Sequence, residues 1–222
     1  MATLEQIVSS IAARVDKPFD VDLQEELKHI INYKRLNYTQ QFIEKYPNQR
    51  RLFLQKVVAK LEKAPKNDCT PVKDCIILRT ECIAPKPIRN SRTIFDFVGD
   101  SNFINGYGYQ DPSFIQDIGF NRFTKKKPKW YYMNNRIYVY NSTVIDKIGI
   151  RGVFENPFQI NECSCDKSFC FTETDEYPIA GDLLNSIVRD TLNVEFRQQL
   201  LPENQVEVDK IEEIENRGIK LN

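Results

Sequence analysis

The apolar residues change their spacing part-way along the chain, and no feature constrains the fold more. Up to about residue 62 they recur at three- and four-residue intervals, the period of one-faced helices. Thr3-x-x-Gln6 is a capping-box pattern that opens a stripe of Leu4, Ile7, Val8, Ile11 and Val15, and Pro18 stops it. Asp20 or Asp22 caps a second helix with the stripe Leu23, Leu27, Ile30, Ile31, Tyr38 and Phe42, running to about Tyr46. A third helix is expected over Phe53, Leu54, Val57, Val58 and Leu61, ending before Pro65.

Beyond residue 75 the runs are short and β-rich. Cys75–Ile83 and Thr93–Val98 read as strands. Trp130–Met133, Asn134-Asn135 and Arg136–Tyr140 read as a hairpin, because asparagine accepts the positive φ of a tight primed turn. Ile148, Ile150, Gly152 and Phe154 alternate with Gly149, Arg151 and Val153 as in a strand, closed by Pro157. A long loop from about Gly99 to Lys129 separates these pieces, and loops of that length usually carry function. Helical spacing returns at Leu184, Val188, Leu192 and Phe196, with Asp182 as the expected cap and Pro202 as the stop.

The fold class is therefore α+β. The expected arrangement is a helical bundle, made of three N-terminal helices and one C-terminal helix, with an inserted β-rich lobe and an extended C-terminal tail. The boundaries are 1–66 for the N-terminal helices, 67–178 for the lobe, 179–202 for the last bundle helix and 203–222 for a docking tail. That tail carries six acidic and three basic residues. Its Val206, Val208, Ile211, Ile214 and Ile219 lack a clean stripe, so it needs a partner surface to order.

Charge and residue usage narrow the function. Lys+Arg and Asp+Glu are both 31, which argues against a free nucleic-acid-binding domain and a polybasic membrane anchor. No apolar run approaches the twenty or so residues that span a bilayer, and the start MATLEQIVSS lacks the look of a signal peptide. His29 is the one histidine, set in the second helix with no nucleophile beside it, so no catalytic role is expected for it. No glycine pattern forms a phosphate loop. Asp96, Asp100, Asp111 and Asp117 are scattered loop carboxylates rather than a metal or acid–base set. Cys163, Cys165 and Cys170 follow C-x-C-x4-C spacing and could supply zinc ligands with Cys69, Cys75 or Cys82; the expectation is six reduced, mostly unmetallated thiols. Arg122, Lys125, Lys126, Lys127 and Lys129 lead into Trp130, Tyr131 and Tyr132. They are candidates for contact with a phosphate backbone or with a neighbouring subunit. No catalytic, cofactor or metal residue is assigned, and no cofactor is expected.

The stretches Trp130–Asn141 and Ile145–Pro157 resemble head–tail connector proteins of short-tailed bacteriophages, the portal-adaptor or ring proteins, and most of all those of crAss-like phages. The resemblance implies a virion structural protein at the head–tail junction, made in the host cytoplasm and not an enzyme. It implies a homo-oligomeric ring, usually of twelve copies, that connects the portal protein to other tail or ring proteins and extends the DNA channel. DNA would touch it only in passing and without sequence preference, and no membrane would be involved. The 10 tyrosines and 14 phenylalanines suit extensive subunit contacts. The competing readings are a lower stopper or tail-hub ring of the same virion, a small nucleic-acid-processing enzyme, and a zinc-stabilised interaction module.

Overall fold

The computed structural model describes residues 2–65, 77–88, 94–113, 127–140, 145–163 and 169–196. Helix α1 spans Leu4–Arg14, and its capping box is formed: Thr3 Oγ1 accepts from Gln6 N while Gln6 Oε1 accepts from Thr3 N. The helix ends where Asp16 takes a φ of 57° and Lys17 N donates to Ala12 O. Helix α2 spans Val21–Lys45, and Asp20 rather than Asp22 caps it by accepting from Leu23 N. Its buried face is a four-residue series, Leu23, Leu27, Ile31, Arg35, Thr39 and Ile43.

The expected third helix is not one. A 3-10 helix covers Pro47–Phe53, and Gln55–Lys63 is strand β1. Val57, Val58 and Ala59 are all buried, so the strand's middle shows no alternation. A strand covered on both faces reads as an apolar run, and with Phe53, Leu54 and Leu61 that run imitates helical spacing.

The other strands are β2 (Ile77–Thr80), β3 (Phe97–Asp100), β4 (Gly108–Tyr109), β5 (Lys129–Met133), β6 (Arg136–Tyr140) and β7 (Lys147–Gly152). They form a curled sheet in the order β3-β7-β1-β2-β6-β5-β4, antiparallel throughout except for the β4–β5 pair. β1 is the joint: residues 55–60 pair with β7, and residues 61–63 pair with β2. The β5–β6 hairpin has the predicted turn, with Asn134 and Asn135 at φ 51° and 56°. Short α3 (Ile160–Cys163) and then α4 (Gly181–Glu195) follow. Asp182 lies in the first turn of α4 rather than at its cap, which is Ala180.

α4 returns to pack on α2 and α1, as expected of the last helix. One apolar cluster runs from Leu4, Ile11, Leu27 and Ile31 through Ile187 and Leu192 into Val57, Ala59, Ile148 and Ile150 of the sheet. The helices thus line the sheet instead of standing apart as a four-helix bundle. Each large aliphatic side chain buried there contributes roughly 1.5–3 kcal/mol.

Two buried arginines tie the layers together. Arg35, fully buried, donates from Nε to Pro178 O and from Nη1 to Phe154 O and Glu155 O, and its guanidinium lies 5.7 Å from the Tyr177 ring centre. Arg50 donates from Nε to Asp96 Oδ2 at 2.8 Å and from Nη1 to Ile88 O. Burial pushes the Tyr177 hydroxyl up to about 12, the Arg35 charge acting the other way, and Tyr177 Oη donates to Asn32 Oδ1. A tyrosine raised on folding holds its proton above pH 10 while the unfolded chain loses it. Stability linked to Tyr177 is therefore present below pH 10 and is lost as pH rises toward 12. The loss is about 2–3 kcal/mol, because each tenfold difference in proton affinity between the folded and unfolded chain is worth about 1.4 kcal/mol. Urea unfolding at pH 9 and 11.5 measures it, and Tyr177→Phe should reduce this pH dependence, leaving the part carried by the other raised tyrosines, Tyr38, Tyr107 and Tyr140; an unchanged slope in the variant refutes the assignment.

Candidate functional site

The basic-aromatic segment divides on folding. Trp130 and Tyr132 alternate with Tyr131 along β5, so the sheet's two faces receive them separately. Trp130 is buried in the main core against Phe95, with Tyr109 4.9 Å away, and Tyr132 meets Phe95 edge-on at 5.4 Å. On the opposite face Tyr131 stacks on Tyr138 at 4.9 Å, beside Tyr140 and Ile77. Trp130, Tyr131, Tyr138 and Tyr140 are buried and pack the protein, while Tyr109 is exposed. Lys129, half-buried, donates to Gln110 Oε1, and Lys127 is exposed. Arg122, Lys125 and Lys126 lie outside the described residues, as do Val206, Val208, Ile211, Ile214 and Ile219 of the tail.

The candidate carboxylates have local structural tasks. Asp96 pairs with Arg50. The Asp100 carboxylate accepts from Ile104 N and Asn105 Nδ2, and Asp111 accepts from Ser113 N. Asp117 lies outside the described residues.

Cys82 and Cys163 correct the expectation of six reduced thiols. They are joined as a disulfide, with Cα atoms 5.1 Å apart, a span that such a bond accepts, and they link the segment after β2 to α3. Cys170 is free and exposed; Cys69, Cys75 and Cys165 lie outside the described residues. Among the described residues no three His, Cys, Asp or Glu side chains converge.

Two surface grooves flank α4. The larger, about 670 Å³, lies between α2 and α4, and exposed His29 is on its wall. Tyr38 Oη donates to Asp190 Oδ2 at 2.6 Å, and this bond, with burial, holds the phenol above its usual range. Lys34 Nζ bridges to Glu195 at 3.5 Å and donates to Asp190 O. Among the described residues that line the groove there is no serine or cysteine beside His29. The smaller groove, about 310 Å³, lies between α1 and α4.

Exposed apolar side chains are the strongest surface signal. Phe19 is 92% exposed, Ile104 76% and Val21 68%, with Tyr33 and Val194 at the edges of the α2–α4 groove. Phe19 and Val21 flank Asp20 where the turn enters α2, and exposed apolar groups close in the chain mark candidate interaction surfaces. The sequence hid this because Phe19 falls between helices, where no periodicity tells an inward from an outward ring. No described helix is long and apolar enough to cross a membrane.

The family model described as phage tail ring protein 2 matches residues 6–213. No curated protein matches the chain.

Proposed function

The chain belongs to the phage tail ring protein 2 family, ring proteins of crAss-like phages, and on that premise we propose that it forms a connector ring between the portal and the tail. The family places it in the virion as a structural tail ring protein, oligomeric and in contact with other virion proteins. The proposal goes further. About twelve copies close a ring that extends the DNA channel, meeting the portal on one face and another tail or ring protein on the other. The single observation that carries it is the family match across residues 6–213. Exposed Phe19, Tyr33 and Tyr109 support it, since stacked rings need large apolar contacts between subunits. Neutral net charge suits a lumen through which DNA must pass without being held. Arg122, Lys125, Lys126, Lys127 and Lys129 serve fleeting backbone contact with that DNA or contact with a neighbouring subunit.

The tail, residues 203–222, docks on the portal or on a neighbouring copy through Val206, Val208, Ile211, Ile214 and Ile219. Burying one such side chain gains roughly 1.5–3 kcal/mol, so losing even one weakens docking about tenfold. A chain ending at Pro202 is expected to melt like the full chain and to enter particles at least about tenfold less. Quantitative mass spectrometry of purified particles measures this, and normal incorporation of the truncated chain defeats the docking role. A lower stopper or tail-hub ring also satisfies the family description. Cross-links from the full chain to the portal support the adaptor position, whereas cross-links only to distal tail proteins favour the lower ring.

A further inference from the structure

The turn between α1 and α2 holds its apolar residues outward on a rigid frame. Lys17 N bonds to Ala12 O, Asp20 N to Lys17 O, Gln24 N to Asp20 O, and Gln24 Nε2 to Pro18 O at 2.7 Å. Pro18 fixes its own φ, and Asp20 caps α2. Phe19 nevertheless stands 92% exposed on this frame, and Val21, two residues on, is exposed as well. A rigid, fully solvated aromatic is the anchor that binds at least entropic cost, because its supporting backbone has nothing left to order.

The α1–α4 groove is its complement in shape and charge. Its apolar lining comes from Ile7, Leu184, Val188 and Leu192, and among the described residues its charged lining is Arg14 and Arg189, with no carboxylate. Its volume, about 310 Å³, exceeds the ~150 Å³ that accommodates a benzene ring. Residues 16–22 read DKPFDVD, three aspartates against one lysine around the phenylalanine. One molecule thus carries both an acidic turn with an apolar knob and an apolar groove bordered by arginines. A closed ring of more than two copies uses heterologous contacts, in which two different surfaces of one chain meet.

We infer that Phe19 of one copy seats in the α1–α4 groove of the next copy around the ring, with Asp20 and Asp22 facing Arg14 and Arg189. This rests on the ring reading and adds to it which surfaces meet.

The test places a photo-crosslinking phenylalanine analogue at position 19 of the full chain, in assembled phage tails. Cross-linked peptides between two copies should map to residues 2–14 and 181–193. Lysine cross-linking of the same tails reports separately whether copies are neighbours at all. Copies that are neighbours but link position 19 to another surface, to another protein, or only within one chain overturn the seat and leave the ring. Copies that are never neighbours overturn the ring itself. Phe19→Ser should weaken association of copies about thirtyfold or more, as loss of a central aromatic does. Arg189→Glu should also weaken it, and adding Asp22→Lys should restore most of the loss. Each variant's melting curve confirms that it folds, and an Arg189→Glu defect that Asp22→Lys leaves unchanged removes the charge pairing.

Discussion

Arg35→Ala is expected to destabilise the protein by about 3–5 kcal/mol, one of the largest effects of any single substitution in the chain. Three carbonyl oxygens, of Phe154, Glu155 and Pro178, receive their hydrogen bonds from this one side chain. A buried acceptor left without a donor costs ~1–3 kcal/mol. The vacated volume adds to this, since Arg35 is the largest fully buried side chain among the described residues. One term opposes these. The guanidinium has no carboxylate partner within its bonded set, and burial lowers its pKa, so removing the charge recovers desolvation energy. The carbonyl and cavity costs outweigh that relief because three acceptors are stranded at once. Arg35→Lys separates the contributions: it keeps the charge but cannot reach carbonyls on both sides, so it should fall between wild type and Arg35→Ala. Urea unfolding measures both. A loss below about 1 kcal/mol for Arg35→Ala would show that water or backbone adjustment replaces the lost donors.

Arg35 also marks where the sequence stops being legible. Its place in the series Leu27, Ile31, Arg35, Thr39 and Ile43 is the buried face of α2, yet a charged residue there reads as solvent-facing. The helix itself was legible from Asp20 and the flanking leucines and isoleucines. So were α1, through its capping box, and the β5–β6 hairpin, through Asn134-Asn135 and the alternation of five-residue strands. β1 was not, because sheet on both of its edges and burial on both faces erase the two-residue period that marks a strand. The Val-Val pair was the surviving signal, since β-branched side chains favour strands. β4 has two residues and no pattern to read.

The candidate surfaces are a different case. The basic residues at 122–129 and the tail aliphatics are visible in the sequence as composition, and all of them but Lys127 and Lys129 lie outside the described residues. Trp130, Tyr131 and Tyr132 looked like one aromatic patch, yet the pleat sends consecutive residues to opposite faces. Phe19 carried no signal because exposure is a tertiary property: the same residue a few positions later, within the α2 period, would have been assigned to the core.

Gly99→Ala should cost about 3 kcal/mol, while the identical change at Gly181 should be neutral or slightly stabilising. At Gly99 a Cβ would collide with Asn105 O and stand 2.6 Å from the Phe97 ring and 2.9 Å from the Gly106 Cα. The obstacle is backbone, and that backbone is pinned. Asp100 N bonds to Asn105 O, Tyr107 N to Val98 O, and the Asp100 carboxylate grips Ile104 N and the Asn105 amide. The opposite side is no freer: Gly99 pairs with Gly149, whose own Cβ position lies 2.6 Å from Asp100 O. Overpacking of this kind costs about 1–3 kcal/mol when neighbours yield, and here the hydrogen-bonded turn must break for them to yield. At Gly181, the first residue of α4, nothing lies within 4 Å of the added carbon and φ is not positive. There alanine removes unfolded-state freedom and gains helix propensity, up to about 0.4–1 kcal/mol. Thermal and urea unfolding of the two variants side by side is the measurement. Equal stabilities would mean that residues 100–106 shift freely, so that crowding at the β3–β7 edge does not set which residue position 99 accepts.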